Sequence, residues 1–308
     1  MIPRNLYDSD HDMFRDSVRK FIEVEAMPHH DQWEKDGMVS DEVWLKAGEQ
    51  GFLGLPVPEE FGGVNVDFRY NCILNEEIAR SGCTGLGWTL HNDISVPYIV
   101  RYGSDFQKNK YLPRCASGEL ITAIAMTEPA AGSDLQGTKT TAVLDGDHYI
   151  LNGSKTFITN GQKAGLVIVV AKTDTTAGSK GISLLLVEAD LPGFTKGKNL
   201  QKLGMKAQDT SELFFQDVRV PRENLLGEEG RGFVYLMQDL PQERLSIAVG
   251  AVANAQAILD ATVDYTKDRK AFGTTVASFQ NTQFKLAELA AEITSAEVFC
   301  DRCTELLV

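Results

Sequence analysis

The chain has 308 residues, 43 % hydrophobic and 24 % charged, which is enough for two or three domains around a large core and too apolar for an intrinsically disordered protein. Its 43 acidic and 30 basic residues leave a net charge of −13, which repels a phosphate backbone and argues against general nucleic-acid binding, while allowing one local basic site for an anionic ligand. No apolar leader precedes the early acids Asp8, Asp10 and Asp12, and no apolar run reaches the ~20 residues of a spanning helix, so the expectation is a soluble intracellular protein without a membrane span.

From Tyr7 to about Gly118 the pattern is helical, with Met13, Val18, Phe21, Ile22 and Val24 at helical spacing. Gly54-Leu55-Pro56-Val57-Pro58 and Gly62-Gly63 form a breaking loop, followed by helical pieces over Asn75 to Arg80, Val96 to Tyr102 and Lys108 to Pro113. Near Leu120 the period changes. Thr140 to Leu144 and His148 to Leu151 read as strands joined by the turn Asp145-Gly146-Asp147. Leu166 to Ala171, Ile182 to Val187 and Leu213 to Val220 are further strands with no helical pattern between them, so an antiparallel sheet or small barrel is expected and a Rossmann sheet is not. After Gly227, Gly230 and Gly232 the chain returns to helix over Leu245 to Tyr265, and Phe272-Gly273 then marks a stop.

A last helix starts near Ser278, with Leu286, Leu289, Ile293, Ala296, Cys300, Cys303 and Leu307 on one stripe that runs to the end without a cap. An apolar stripe needs partners, so a C-terminally truncated chain is expected. The reading is an α+β multidomain protein: an N-terminal helical domain over residues 1–119, a middle antiparallel β domain over 120–228, and an incomplete C-terminal helical bundle over 229–308.

Metal and nucleotide signatures such as HExxH, a Walker A loop, GxGxxG and GxSxG do not occur. The histidines lack metal spacing, and His29-His30 reads as a solvated loop pair. The five cysteines (Cys72, Cys83, Cys115, Cys300, Cys303) are odd in number and widely spaced, which suits a reducing compartment, and the Cys300-x-x-Cys303 pair reads as two thiols in a helical core.

Two segments stand out. Ala125-Met126-Thr127-Glu128-Pro129-Ala130-Ala131-Gly132-Ser133-Asp134 offers small residues, short hydroxyls and free backbone N–H groups, which serve a tight turn as well as a binding loop. Asn152-Gly153-Ser154-Lys155-Thr156-Phe157-Ile158-Thr159-Asn160 puts an aromatic in a polar strand, and an edge strand packed through Phe157 is its plain structural alternative. The sequon Asn152-Gly153-Ser154 is set aside because nothing suggests secretion.

These segments, with Pro241-Gln242-Glu243-Arg244-Leu245 and Asp268-Arg269-Lys270-Ala271-Phe272-Gly273, resemble the acyl-CoA dehydrogenase family, in order and over essentially the whole chain, and most resemble its long-chain type. The resemblance implies a noncovalent FAD: Met126 and Thr127 against the flavin, Ser133 near the cofactor or the pantetheine arm of CoA, and Phe157, Ile158 and Thr159 on the ring's other side. It further implies a dimer of dimers in which Arg269, Phe272 and Gln280 reach a neighbouring subunit's FAD. A charge complementing a helix end would also account for Arg269. Leu240, Gln242 and Arg244 would line the substrate, with Arg244 orienting it.

The implied reaction, α,β-dehydrogenation of an acyl-CoA thioester, needs a carboxylate for the weakly acidic α proton in a dry site and a hydride acceptor for the β carbon. By the resemblance that base is Glu243, immediately before Arg244. On a helix it would share a face with Leu240, Ser246, Ile247 and Gly250, whose apolarity would raise its pKa. A helix restarting at Pro241 would instead put it in a first turn, where the dipole lowers the pKa. An exposed salt bridge is the plain structural alternative. The resemblance implies electrons passed to an electron-transferring flavoprotein, with an acyl-CoA oxidase-like enzyme or a noncatalytic flavin- and acyl-CoA-binding protein as rivals. It implies a cytoplasmic location, or the mitochondrial matrix for a processed eukaryotic chain. The family's C-terminal glycine-rich FAD loop and its thioester-oxygen N–H are not found here, and a lost oxyanion donor can cost ~10²–10³ in rate.

Overall fold

The computed structural model describes residues 2–308. The chain falls into two compact units that are interleaved along the sequence. One takes the residues up to Met27, Asp67–Cys83 and Arg244–Val308, and the other takes Pro28–Val66 and Thr84–Glu243.

In the first, helical unit, α1 (Ser9–Phe21) begins where the Asp8 carboxylate accepts the N–H groups of Asp10 and His11, satisfying donors a helix start leaves unpaired. α4 (Phe68–Ser81) is capped by Asp67 and stops at Gly82, whose φ of +72° suits a residue without Cβ. Two acids on α4 are buried and paired. Glu76 accepts from Arg4 at 2.7 Å and pairs with Arg15 at 2.6 Å. Glu77 accepts from Arg15 and Arg19, both at 2.9 Å. Arg4 also reaches Asp301 on α8 (Gln280–Leu307) at 2.6 Å. Phe68, Cys72, Val249 and Cys300 form a small core among these helices.

After α1 a π-helical turn, Ile22–Ala26, widens the helix. Val18 and Ile22, four residues apart, share the buried face, while Met13, five residues before Val18, and Val24, two after Ile22, point away from it and are exposed. On α8 only Cys300 and Thr304 are buried; Cys303 is half-buried and Leu289 exposed.

The second unit carries the sheet. Its helices are α2 (Met27–Asp36), α3 (Asp41–Glu49), α5 (Val96–Tyr102) and α6 (Asp105–Ala116). His29 and His30 lie on α2, not in a loop, and the His29 ring contacts Trp33 one turn on.

The strands are β1 (Thr122–Ala125), β2 (Thr141–Asp145), β3 (His148–Thr159), β4 (Leu166–Lys172), β5 (Ile182–Glu188), β6 (Phe194–Asn199), β7 (Thr210–Pro221) and β8 (Leu225–Leu226). Seven run in the order β6-β7-β3-β2-β4-β5-β8, and β1 pairs β4. The Asp145-Gly146-Asp147 turn joins β2 to β3 as expected, with Gly146 at φ +63°. The sheet is mixed, however, and not wholly antiparallel: β1 and β2 both pair β4 in parallel. The chain returns from β1 to β4 only after a long loop and a hairpin, a connection long enough for parallel pairing. β4 and β5 are continuous apolar runs buried on both faces. One face packs Tyr98, Ile124, Ile168, Leu184 and Leu236; the other packs Tyr149, Ile158, Val169, Leu185 and Val218.

α7 runs unbroken over 37 residues, Gly232–Asp268, through Pro241. By length and composition alone it could cross a membrane, which corrects the expectation that no stretch would. Its apolarity is dispersed among Ala, Gly and scattered polar residues, so a search for one uninterrupted run misses it. It is followed by the small hairpin β9 (Lys270–Ala271) and β10 (Thr274–Thr275).

Candidate active site

β1 delivers the loop Met126–Asp134, and that loop is fastened from below. The Glu128 side chain turns inward. Its carboxylate accepts from the Lys139 N–H at 2.6 Å, the Thr140 N–H at 3.0 Å and the Lys155 ammonium at 2.8 Å. Lys155 on β3 also donates to the Met126 carbonyl at 3.1 Å, and the Thr156 N–H donates to the Thr127 carbonyl at 2.9 Å. These bonds lay Met126 and Thr127 against the same strand that carries Phe157. Both are half-buried, and Ser133 is exposed further along the loop. Burial pushes the Lys155 ammonium down to about 8, more than its hydrogen bond to Glu128 lifts it. Glu128 is held below the usual carboxylate range: the Lys155 pairing and the Thr140 and Lys139 N–H groups outweigh its own burial, the largest single effect.

β3 lies between β2 and β7, so it is not an edge. Its register slips between Lys155 and Ile158, and at that irregularity Phe157 takes φ +58° with its ring 68 % exposed. A bulky residue in the left-handed region with its ring in solvent gains nothing from the fold for the strain it carries. Ile158, one residue on, faces the core at 2 % exposure and has only its backbone to offer a ligand, while Thr159 is half-buried. Asn160 then anchors the segment, its amide donating to the Gly87 and Thr122 carbonyls, both at 3.2 Å.

Glu243 is buried at 5 % exposure, and the Tyr98 hydroxyl on α5 donates to its Oε1 at 2.7 Å. Because α7 passes through Pro241 without a break, Glu243 is not in a first turn, and the helix-dipole alternative does not apply. The exposed-salt-bridge alternative does not apply either. Ser246 and Val249 share its buried side, whereas Ile247 is exposed. Gln242 is held by Arg101 at 2.6 Å and by the Asp93 carbonyl at 2.8 Å. Leu240 is half-buried and Arg244 exposed.

In the helical unit, Arg269 and Gln280 are exposed, and Phe272 sits at the tip of the β9–β10 hairpin at φ +54° with its ring 97 % exposed. The structure therefore brings Met126, Thr127 and Phe157 together. Glu128 and Lys155 fasten that loop, and Tyr98 binds Glu243, although sequence reasoning assigned these three no role. A lysine inside an otherwise small-residue strand was the available signal for Lys155; nothing local pointed to Tyr98. A cleft of about 540 Å³ lined by Asp41, Tyr111, Arg114, Lys163 and Glu188 includes none of these residues.

A helical segment, a mixed sheet and a long helix bearing a dry carboxylate are parts suited to an oxidoreductase. Three family descriptions match in succession: acyl-CoA dehydrogenase, N-terminal domain, over residues 8–119; middle domain over 123–218; and C-terminal domain over 230–308. The chain belongs to the acyl-CoA dehydrogenase family, a family of oxidoreductases. It is 54 % identical to the mitochondrial long-chain specific acyl-CoA dehydrogenase of Mus musculus over 305 residues, 98 % of this chain and 71 % of that protein. It is similar to the crystal structure of acyl-CoA dehydrogenase from Geobacillus kaustophilus, with TM-score 0.97 and 53 % identity, covering 98 % of this chain and 80 % of the other. It is also similar to an acyl-CoA dehydrogenase complexed with FAD from Bacillus anthracis, with TM-score 0.91 and 36 % identity, covering 97 % and 51 %.

Proposed function

We propose that the chain carries out FAD-dependent α,β-dehydrogenation of acyl-CoA thioesters with Glu243 as the base. The observation that carries this reading is the buried Glu243 carboxylate, held by a neutral hydroxyl donor rather than neutralised by a cation at that bond. A carboxylate drawn out of water is a stronger base than one in bulk solvent, as the removal of a weakly acidic α proton requires.

The exposed, strained Phe157 beside half-buried Met126 and Thr127 fits a flat apolar ring with polar edges. Those residues would hold FAD, with Thr127 as hydrogen-bond donor, Ile158 and Thr159 contributing backbone and hydroxyl, and Ser133 near the cofactor or the pantetheine arm. FAD, when bound, supplies the acceptor for the hydride leaving the β carbon, which no side chain provides. Leu240, Gln242 and Arg244 would line the acyl-CoA, Gln242 after exchanging a present hydrogen bond.

The proposed acceptor of electrons is an electron-transferring flavoprotein. The proposed assembly is a dimer of dimers in which Arg269, Phe272 and Gln280 reach a neighbour's FAD. The exposed apolar residues Ile247, Ile258, Phe284 and Phe299 on α7 and α8 support such an assembly. The proposed location is the cytoplasm, or the mitochondrial matrix for a processed eukaryotic chain.

The test is anaerobic titration of the FAD-loaded protein with acyl-CoAs of graded length. Bleaching of the flavin band followed by slow reoxidation in air is expected. Rapid reoxidation by O₂ would replace the dehydrogenase with an oxidase, and no bleaching with any chain length would leave a binding protein.

A further inference from the structure

α5 and the first third of α7 are joined by a seam of side chains that runs antiparallel. Tyr98 on α5 meets Glu243 at 2.7 Å. Arg101 pairs with Asp239 and donates to Gln242 at 2.6 Å. Tyr102 donates to Gln238 at 3.3 Å and stacks on Tyr235, with ring centroids 4.1 Å apart. As numbers rise along α5 they fall along α7, so each bond checks the register of the next. The Tyr98 ring itself is fully buried among Val57, Ile99 and Leu236, and Tyr102 lies 6.0 Å from it. The hydroxyl therefore reaches Glu243 from a fixed point. α5 continues directly from the π-helical turn Leu90–Ser95, and the seam fixes the register of its last two turns against α7.

Resting on the reading of Glu243 as the base, we propose that Tyr98 is its positioning residue: the hydroxyl holds the carboxylate ionised and in one rotamer, and the Arg101–Asp239 pair keeps the short helix in register for it. Burial and the adjacent carboxylate both push the Tyr98 phenol far above its ordinary range. It is therefore protonated at every working pH and can only donate to Glu243. A donor of that kind stabilises the charged form of the base and loses most of its bond once the base takes up the α proton. It thus offsets part of the desolvation that burial imposes on the Glu243 carboxylate. The titratable groups acting on Tyr98 besides Glu243 are Tyr102 and Arg101 on α5, and Arg101 is itself tied to Asp239 on α7.

The test compares Tyr98→Phe and Glu243→Gln with the parent protein, all loaded with FAD. Tyr98→Phe keeps the ring in its apolar surroundings, so folding is retained. Three quantities are read: the single-turnover rate of flavin reduction by acyl-CoA across pH 6 to 9, the dissociation constant for acyl-CoA, and the pH at which the carboxylic-acid C=O stretch of the base disappears in infrared difference titration. Losing one hydrogen bond to a charged group predicts a ~10-fold fall in rate near neutral pH, with the rising limb and the infrared transition moved upward by about one pH unit and the dissociation constant changed less than ~2-fold. A reduction rate, pH limb and infrared transition identical to the parent's would overturn the proposal and leave Tyr98 a packing residue. Normal flavin reduction in Glu243→Gln would instead overturn the reading of Glu243, so the two failures are told apart.

Discussion

The Lys155 ammonium and the Glu128 carboxylate meet at 2.8 Å with 0 % and 3 % of their side chains exposed, and between them they fasten the Met126–Thr127 backbone to strand β3. Two charges taken out of water are tolerated only when they are paired and hydrogen-bonded: Glu128 also holds two backbone N–H groups, and Lys155 also donates to the Met126 carbonyl.

Removing one partner strands the other. Lys155→Met is expected to destabilise the protein by ~3–5 kcal/mol and to release the 126–134 loop, read as a lower denaturant midpoint and faster hydrogen exchange at the Thr140 N–H. The double change Glu128→Gln with Lys155→Met should recover much of the stability without recovering tight FAD binding. A single Lys155→Met variant as stable as the parent would show that the pair holds nothing.

Phe157 makes the opposite case. Its φ of +58° and exposed ring mean that the fold alone has no use for the side chain. Phe157→Gly should leave the apoprotein as stable or more stable by ~1 kcal/mol, since glycine accepts positive φ freely, while FAD affinity drops at least ~10-fold. Melting of the apoprotein with and without FAD checks both halves. Loss of several kcal/mol from the apoprotein would mean that the ring packs on protein rather than on a ligand.

His91 sets a pH limit on stability. It is fully buried, its Nε2 lies 3.2 Å from the Cys115 carbonyl, and its Nδ1 faces the Thr122 N–H at 3.2 Å and hydroxyl at 2.8 Å. Burial pushes its pKa down to about 4. The unfolded chain therefore takes up a proton below about 6.5 that the folded one refuses. The contribution is fully present above about 6.5 and is lost as pH falls toward 4, a change of ~3 kcal/mol. Urea midpoints measured from pH 7 to 4.5 should fall, and should fall less in His91→Gln. Equal slopes in the two proteins would assign the acid sensitivity to other groups.

How far the sequence carried these conclusions depends on the distance over which each interaction acts. Helix α5 and the Asp145-Gly146-Asp147 turn were legible because both are set by residues a few positions apart. β1 and β6 were not: Thr122–Ala125 is short, and Phe194–Asn199 has too little apolar alternation to stand out, so only pairing with β4 and β7 makes them strands. Pro241 left open whether the helix restarts there, because proline in a helix interior is unfavourable, and α7 passes through it. The loop at 126–134 and the strand at 152–160 were singled out, but the bond that joins them, Lys155 to Glu128, spans 27 positions and leaves no periodic trace. Tyr98 and Glu243 stand 145 positions apart, and only the folded chain brings them together.

The central claim is that Glu243 removes the α proton. Its most direct test is rapid mixing of FAD-loaded Glu243→Gln with saturating acyl-CoA under anaerobic conditions, monitoring the oxidised flavin band. Glutamine keeps the size and the hydrogen bond to Tyr98 but cannot accept a proton. The account predicts that acyl-CoA still binds and that the band persists, with reduction slowed by at least ~10²–10⁴. Bleaching at the parent's rate would contradict it.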